Sequence, residues 1–308
     1  MSAKPARLIL YIAFLVNIFI FGSSWIFNKM VLQEGAGPLW ATTIRQSIGA
    51  LTLILILLIK RPKFKLSQRH IILIIIYALF MMALSHLFSF QGQKYIDAGL
   101  ASIVFSFFPL AVALFSSILM PKKEPFTIKK LIGLLIGLMG IILLFYAQDI
   151  LGGGKAEILG IMFILFSVLT NAFPNVIIKR DGEDLHPLIL NTFGMALAAI
   201  LLVIFTSIVE GPPDFTFTPT FILAELYLGI ICSALGFFLY FWLLQHVSVL
   251  KLSLSAYLTP LVAIFLGFIF YNEILTLNHY IGMLLIFMGI FITEFKFRGK
   301  HANSDLRR

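Results

Sequence analysis

Three side chains in this sequence could do chemistry because they are ionisable where almost everything around them is apolar: Arg45, His86 and Glu225. A guanidinium in hydrocarbon costs about 3 kcal/mol or more unless it is paired or hydrated. Arg45 is therefore a candidate to bind a substrate carboxylate or to form a gate ion pair; the plainer role is snorkelling to headgroups. Glu225 could pair with Arg45 or Lys29, carry a coupling proton, or bind a substrate ammonium; otherwise it sits partly exposed at a helix rim. His86 stands in the polar run Ser85-His86 … Ser89 … Gln91. Imidazole titrates near neutral pH, so His86 suits a proton relay or a substrate contact, against the alternative of a histidine bonded to a neighbouring helix. Asn17 and Asn171 are amides near the middle of two apolar runs, placed either to line a midplane cavity or to bond between helices. Trp25, Phe108, Tyr227 and Tyr257, with Phe105 and Phe107, are the aromatic groups that could face an organic substrate or cage an ammonium. With 32 phenylalanines in the chain, lipid-facing rings are the ordinary case.

Other chemistries find no residues. There is no Walker loop to cradle ATP phosphates. No His-Glu-x-x-His or Gly-x-Ser-x-Gly signature of an intramembrane enzyme occurs. No run gathers several acids or metal ligands, so no metal and no cofactor is expected.

The elements that hold these residues must lie in a bilayer. Hydrophobic residues make up 60% of the 308 and charged residues 12%, about half the soluble norm, and mean hydropathy is +1.01. Stretches without Asp, Glu, Lys or Arg recur at 8–28, 98–121, 158–178, 185–209, 226–250, 252–272 and 274–293. Each can cross about 30 Å of hydrocarbon as a helix. The pattern predicts ten spans: 8–30, 38–59, 70–92, 98–120, 128–147, 157–178, 187–209, 219–245, 251–271 and 277–295. Pro and Gly punctuate the links, as at Gly35–Pro38, Pro121, 152–154 and Gly211-Pro212-Pro213. The net charge of +9 does not point to nucleic acid, because the basic residues sit in short loops between spans. With the N-terminus in the cytoplasm, 19 of the 23 Lys and Arg fall inside, which predicts both termini cytoplasmic. Lys4 and Arg7 precede a run too long for a secretory leader, so it reads as a retained first span. The lone Cys232 allows no intramolecular disulfide.

The chain also repeats itself. Tyr95 … Ser102 … Phe108-Pro109-Leu110 … Glu124 … Gly133 … Gly140 recurs as His246 … Ser253 … Thr259-Pro260-Leu261 … Glu273 … Gly282 … Gly289. Five spans per half place the second half upside down, the architecture of alternating-access transporters. The predicted organisation is a first five-helix repeat at 1–147, a linker at 148–156, a second, inverted repeat at 157–295 and a basic tail at 296–308. Pro109 and Pro260 each remove a helix hydrogen bond mid-span and make a paired hinge, or else a static kink. Gly133, Gly137, Gly140, Gly282 and Gly289 line small-residue faces that admit close helix packing, within a protomer in preference to a dimer. The chain is expected as a monomer or weak homodimer.

Together these features resemble the EamA-type permeases of the drug/metabolite transporter superfamily. The carriers of the resemblance are Phe21-Gly22-Ser23-Ser24-Trp25 followed by Asn28-Lys29, Pro38 and Arg45 opening the second span, and the duplicated Pro-Leu, Glu and Ile-Gly … Gly-Ile ends. It covers almost the whole chain. The resemblance implies an all-α integral membrane fold, with helices 1–4 and 6–9 around a central cavity and helices 5 and 10 outside it. It implies a small-molecule substrate, most often an amino acid or related metabolite exported across the bacterial cytoplasmic membrane. Efflux is either uniport or proton-coupled, and His86 and Glu225 are the coupling candidates by residue type. An importer of choline-like or nucleoside-type substrates is the alternative; a lipid flippase or membrane enzyme is the alternative from another class.

Overall fold

The computed structural model describes residues 7–62, 64–122, 127–150, 154–246, 252 and 255–294. Among them helix is the only regular structure. In chain order the helices are α1 (Arg7–Gln33), α2 (Pro38–Lys60), α3 (Gln68–Gln93), α4 (Ala98–Leu119), α5 (Ile128–Ile150), α6 (Gly154–Asp181), α7 (Pro187–Val209), α8 (Pro219–His246), α9 (Ser255–Tyr271) and α10 (Leu277–Glu294). Seven of them, α1 to α4 and α6 to α8, are long and apolar enough to cross a membrane. Leu258–Tyr271 and Leu277–Gly289, within α9 and α10, are shorter apolar helices.

The sequence starts these helices by local chemistry. Pro38, Pro187 and Pro219 stand in the first turns of α2, α7 and α8, where the missing N–H has no partner to lose. Thr218 Oγ1 accepts from Phe221 N–H at 3.1 Å and donates to Glu34 Oε2, tying the start of α8 to the end of α1. Ser67 and His70 form a reciprocal capping box at the start of α3.

Two departures from plain α-helix recur in the two halves. α3 carries a π-helical stretch at Tyr77–Ser85, and α8 carries one at Tyr227–Leu235, 150 residues later. Such stretches loosen the backbone ladder and re-aim side chains. The prolines, by contrast, do not match. α4 is interrupted at Ser106 and Phe107, where Phe107 N–H turns back to Val104 O at 3.1 Å in a tighter turn, and Pro109 sits in the first turn of the following segment. Pro260 lies inside α9 without interruption.

Helix packing follows a two-fold pattern. α1 packs on α9 as α6 packs on α4, and α2 packs on α8 as α7 packs on α3. α2 also packs on α7, and α5 on α10. The glycines allow this last contact: a Cβ on Gly140 would meet Gly282 O at 2.7 Å, and one on Gly289 would strike Gly133 O. All five small-residue positions are buried in one protomer, so their face is used up internally. Outward faces are apolar, as at Leu51, Leu55, Leu58 and Ile59 on α2, which hydrocarbon tolerates and water would not.

Candidate functional site

A cavity of about 850 Å³, its mouth included, opens among α1, α3, α4, α6, α8 and α9, with one residue contributed by α2. Phe21, Trp25, Phe105, Phe108, Phe237 and Tyr240 supply aromatic wall. The polar groups come as single small side chains: Ser24, Asn28, Ser85, His86, Ser89, Ser106, Ser167, Asn171, Ser255 and Thr259. The residue from α2 is Arg45, the one Lys, Arg, Asp or Glu in the lining among the described residues. Against the resemblance, α7 lines none of it; α7 packs behind α2 and α3 instead. α5 and α10 stay outside it.

Arg45 is 3% exposed. Its Nε donates to Ser233 Oγ at 2.9 Å, from the π stretch of α8, and its Nη1 donates to Asn28 Oδ1 at 3.0 Å. Asn28 Nδ2 donates to Gln93 Oε1 at 2.9 Å, and Gln93 Nε2 donates to Trp25 O at 2.7 Å. The chain of amides fixes which face of each group accepts, and so holds the guanidinium in one orientation. Every acceptor in it is neutral. The guanidinium therefore faces the cavity with its hydrogen bonds made to neutral groups and none to a carboxylate, an arrangement that an anionic ligand would relieve.

Elsewhere in the lining, Ser85 Oγ and Ser167 Oγ lie 3.0 Å apart, Ser167 Oγ donates to Ser85 O at 2.7 Å, and Asn171 Nδ2 donates to Ser85 Oγ at 3.2 Å. His86 Nδ1 lies 2.9 Å from Met81 O in the π stretch of α3. A carbonyl only accepts, so Nδ1 carries the proton and Nε2 of the neutral ring remains an acceptor. The His86 ring meets Phe237 edge-on, with centroids 5.6 Å apart. Trp25 meets Phe105 at 5.3 Å, and Phe105 stacks on Phe108 at 5.8 Å.

One end of the bundle is clamped. Lys29, four residues beyond Trp25 on α1, pairs with Asp97 and with Glu273 Oε1 at 2.9 Å. Glu273 also accepts Ala98 N–H at 3.2 Å and Gly99 N–H at 2.9 Å, satisfying the first turn of α4. Lys29 Nζ stands 4.9 Å from the Tyr271 ring centroid. This ties α1, α4 and the end of α9 together.

Of the residues singled out by sequence, Trp25, Arg45, His86, Phe108 and Asn171 meet at the cavity. Three do not. Asn17 is fully buried and donates to Gly236 O at 2.9 Å, joining α1 to α8 away from the lining. The Tyr227 hydroxyl lies 2.8 Å from Ser23 Oγ, and its ring stacks on Phe27 at 4.0 Å. Glu225 is 1% exposed, and neither of its oxygens has a hydrogen-bond partner among the described residues. It lies within the electrostatic reach of Arg45 but bonds neither Arg45 nor Lys29. The expected ion pair is replaced because Lys29 turns to Asp97 and Glu273 and Arg45 to Asn28 and Ser233. The alternative for Glu225, partial exposure at a helix rim, is not found either. Tyr257 lies in α9, but its side chain is outside the described residues, as are Glu124, Ser253 and the tail at 296–308. Sequence reasoning missed Gln93 and Ser233 as Arg45's supports; their one signal is an amide or hydroxyl within an apolar run.

The model of the EamA-like transporter family matches residues 8–146 and again residues 158–295. The chain is 28% identical over 279 residues to the uncharacterized transporter YoaV of Bacillus subtilis (strain 168), covering 90% of this chain and 94% of that one. It is 28% identical over 296 residues to the uncharacterized transporter YvbV of the same organism, covering 96% and 94%. A solved crystal structure, 19% identical, superposes with a TM-score of 0.67 and covers 92% of this chain and 96% of that chain, a likeness of fold alone.

Proposed function

Since the chain belongs to the EamA-like transporter family and is a multi-pass membrane transporter, we propose that its cargo is a small organic carboxylate, an amino acid or close relative, which it exports. Arg45 is the observation that carries this reading: a buried cation at a cavity wall, held by neutral acceptors. The cargo carboxylate docks on the guanidinium fork, and its apolar side chain lies against Trp25, Phe105, Phe108 and Phe237. Ser85, Asn171 and His86 Nε2 receive the polar remainder, including an ammonium. A choline-like cation fits less well, because it would meet Arg45 with no carboxylate in the described lining.

The proposed cycle uses ten membrane crossings as two inverted five-helix halves that rock about the cavity. Corresponding helices pack as a two-fold pair, while the corresponding prolines stand in unlike settings, α4 interrupted and α9 continuous. Unlike hinges in like halves are what a transporter caught in one of two exchanging states should have. Glu225 is the proposed proton carrier: it is buried beside Arg45 without a hydrogen bond, so its protonation would change the field at the cargo site without displacing a wall group.

Purified protein in liposomes loaded with an aromatic amino acid tests the reading. Efflux should be saturable, and an inward proton gradient should accelerate it in the native protein and not in Glu225→Gln. Flux unaffected by the gradient in both would remove the coupling role, and no protein-dependent flux of any carboxylate would remove the cargo class.

A further inference from the structure

A second cleft lies behind α8. It runs between the C-terminal halves of α2 and α8, with the start of α7 beneath, encloses about 2680 Å³ including its mouth, and shares no lining residue with the central cavity. We propose that it seats an anionic phospholipid from the leaflet on the basic face of the protein, acyl chains between α2 and α8 and phosphate at Lys60.

Two observations converge on that occupant. The cleft is walled by apolar side chains, Ile230, Ala234 and Phe238 among them, with Trp242 beside His246 nearer the mouth. In a bilayer such a space does not stay empty, since bare walls forfeit their dispersion contacts, and acyl chains are the apolar material at hand. The mouth is basic: Lys60 and Lys179, with His186 and His246 as further nitrogen groups, stand there against Glu183, the single acid in the lining among the described residues. Lys60 is exposed and makes no ion pair among the described residues. His186 Nδ1 accepts Leu188 N–H at 3.1 Å at the start of α7. Burial first, and then the Lys60 charge, hold its imidazole below the usual range, so the Lys60 charge reaches His186 at this mouth. A small soluble anion would use the mouth and waste the apolar depth. A phospholipid with a negative headgroup matches both, and basic clefts between helices at the headgroup level are where such headgroups bind. Its separation from Arg45 makes the lipid a resident of the wall and not the cargo.

Brominated lipids read this directly, because Trp242 lines the cleft. The full chain is placed in vesicles of phosphatidylcholine containing equal mole fractions of either brominated phosphatidylglycerol or brominated phosphatidylcholine, and tryptophan quenching is compared. Brominated phosphatidylglycerol should quench more. The excess should vanish in Trp242→Phe, fall about fivefold in Lys60→Gln and survive in Lys60→Arg, which controls for folding. Equal quenching by the two lipids in the native protein would overturn the proposal. So would an excess that persists unchanged in Lys60→Gln or in Trp242→Phe.

Discussion

Arg45 is held by two neutral acceptors, and its dependence on shape as well as charge follows from the planar fork it presents. Arg45→Gln should raise the apparent Kd for a carboxylate cargo by about 10- to 100-fold, the loss of one charge-assisted contact. Arg45→Lys should restore only part of it, because an ammonium cannot bond Ser233, Asn28 and a carboxylate in the same plane. Ligand-dependent thermal shifts of the three proteins check both statements. Glu225→Gln should melt no lower than the native protein, since neither carboxylate oxygen has a hydrogen bond to lose; differential scanning of the purified variant reads this without reference to transport. The exceptional status of Arg45 was legible in the sequence, because a charge in an apolar run stands out. Its partners were not. Asn28, Gln93 and Ser233 come from three other helices, and which faces meet depends on how each helix is rotated about its own axis. Membrane helices are apolar on nearly all sides, so periodicity says little about that rotation. For the same reason periodicity could not tell that Asn17 and Tyr227 bond to neighbouring helices and do not line the cavity.

Among the elements, some helix starts could be read directly: stretches expected to begin at 38, 187 and 219 do begin there, at Pro38, Pro187 and Pro219. The π stretches of α3 and α8 could not, because they leave no composition of their own. The glycine faces of α5 and α10 were legible as close-packing surfaces, and the structure closes them on each other. Gly140→Leu should therefore cost about 1–3 kcal/mol by overpacking, lowering the Tm in detergent while leaving the cargo Kd unchanged. A lowered Tm with a changed Kd would place α5 in the binding machinery. Pro109→Ala restores an N–H to α4 just after its interruption. If that interruption is one position of a hinge, the variant should bind cargo with native Kd but turn over more slowly in liposome flux. Native turnover would make the interruption a static kink.

On the scale of the whole molecule, the halves are matched in packing and mismatched in detail. Lys29, Asp97 and Glu273 clamp α1, α4 and the end of α9 on one side of the cavity. Glu273→Gln removes one charge from the clamp, so a Ser24→Cys thiol at the cavity wall should react faster with a membrane-impermeant reagent added from that side; the buried Cys232 supplies little background. The repeat in the sequence pairs Pro109 with Pro260 but says nothing of their unlike settings, since the interruption before Pro109 and the continuous helix around Pro260 leave no mark in the Pro-Leu pairs themselves. If Arg45 selects a carboxylate for passage through this cavity, counterflow in liposomes will show it. An aromatic amino acid and its uncharged-carboxamide analogue are each offered against the same internal cargo. The carboxylate should exchange rapidly and the carboxamide little, and Arg45→Gln should lose that discrimination. Equal exchange of the two compounds by the native protein would contradict it.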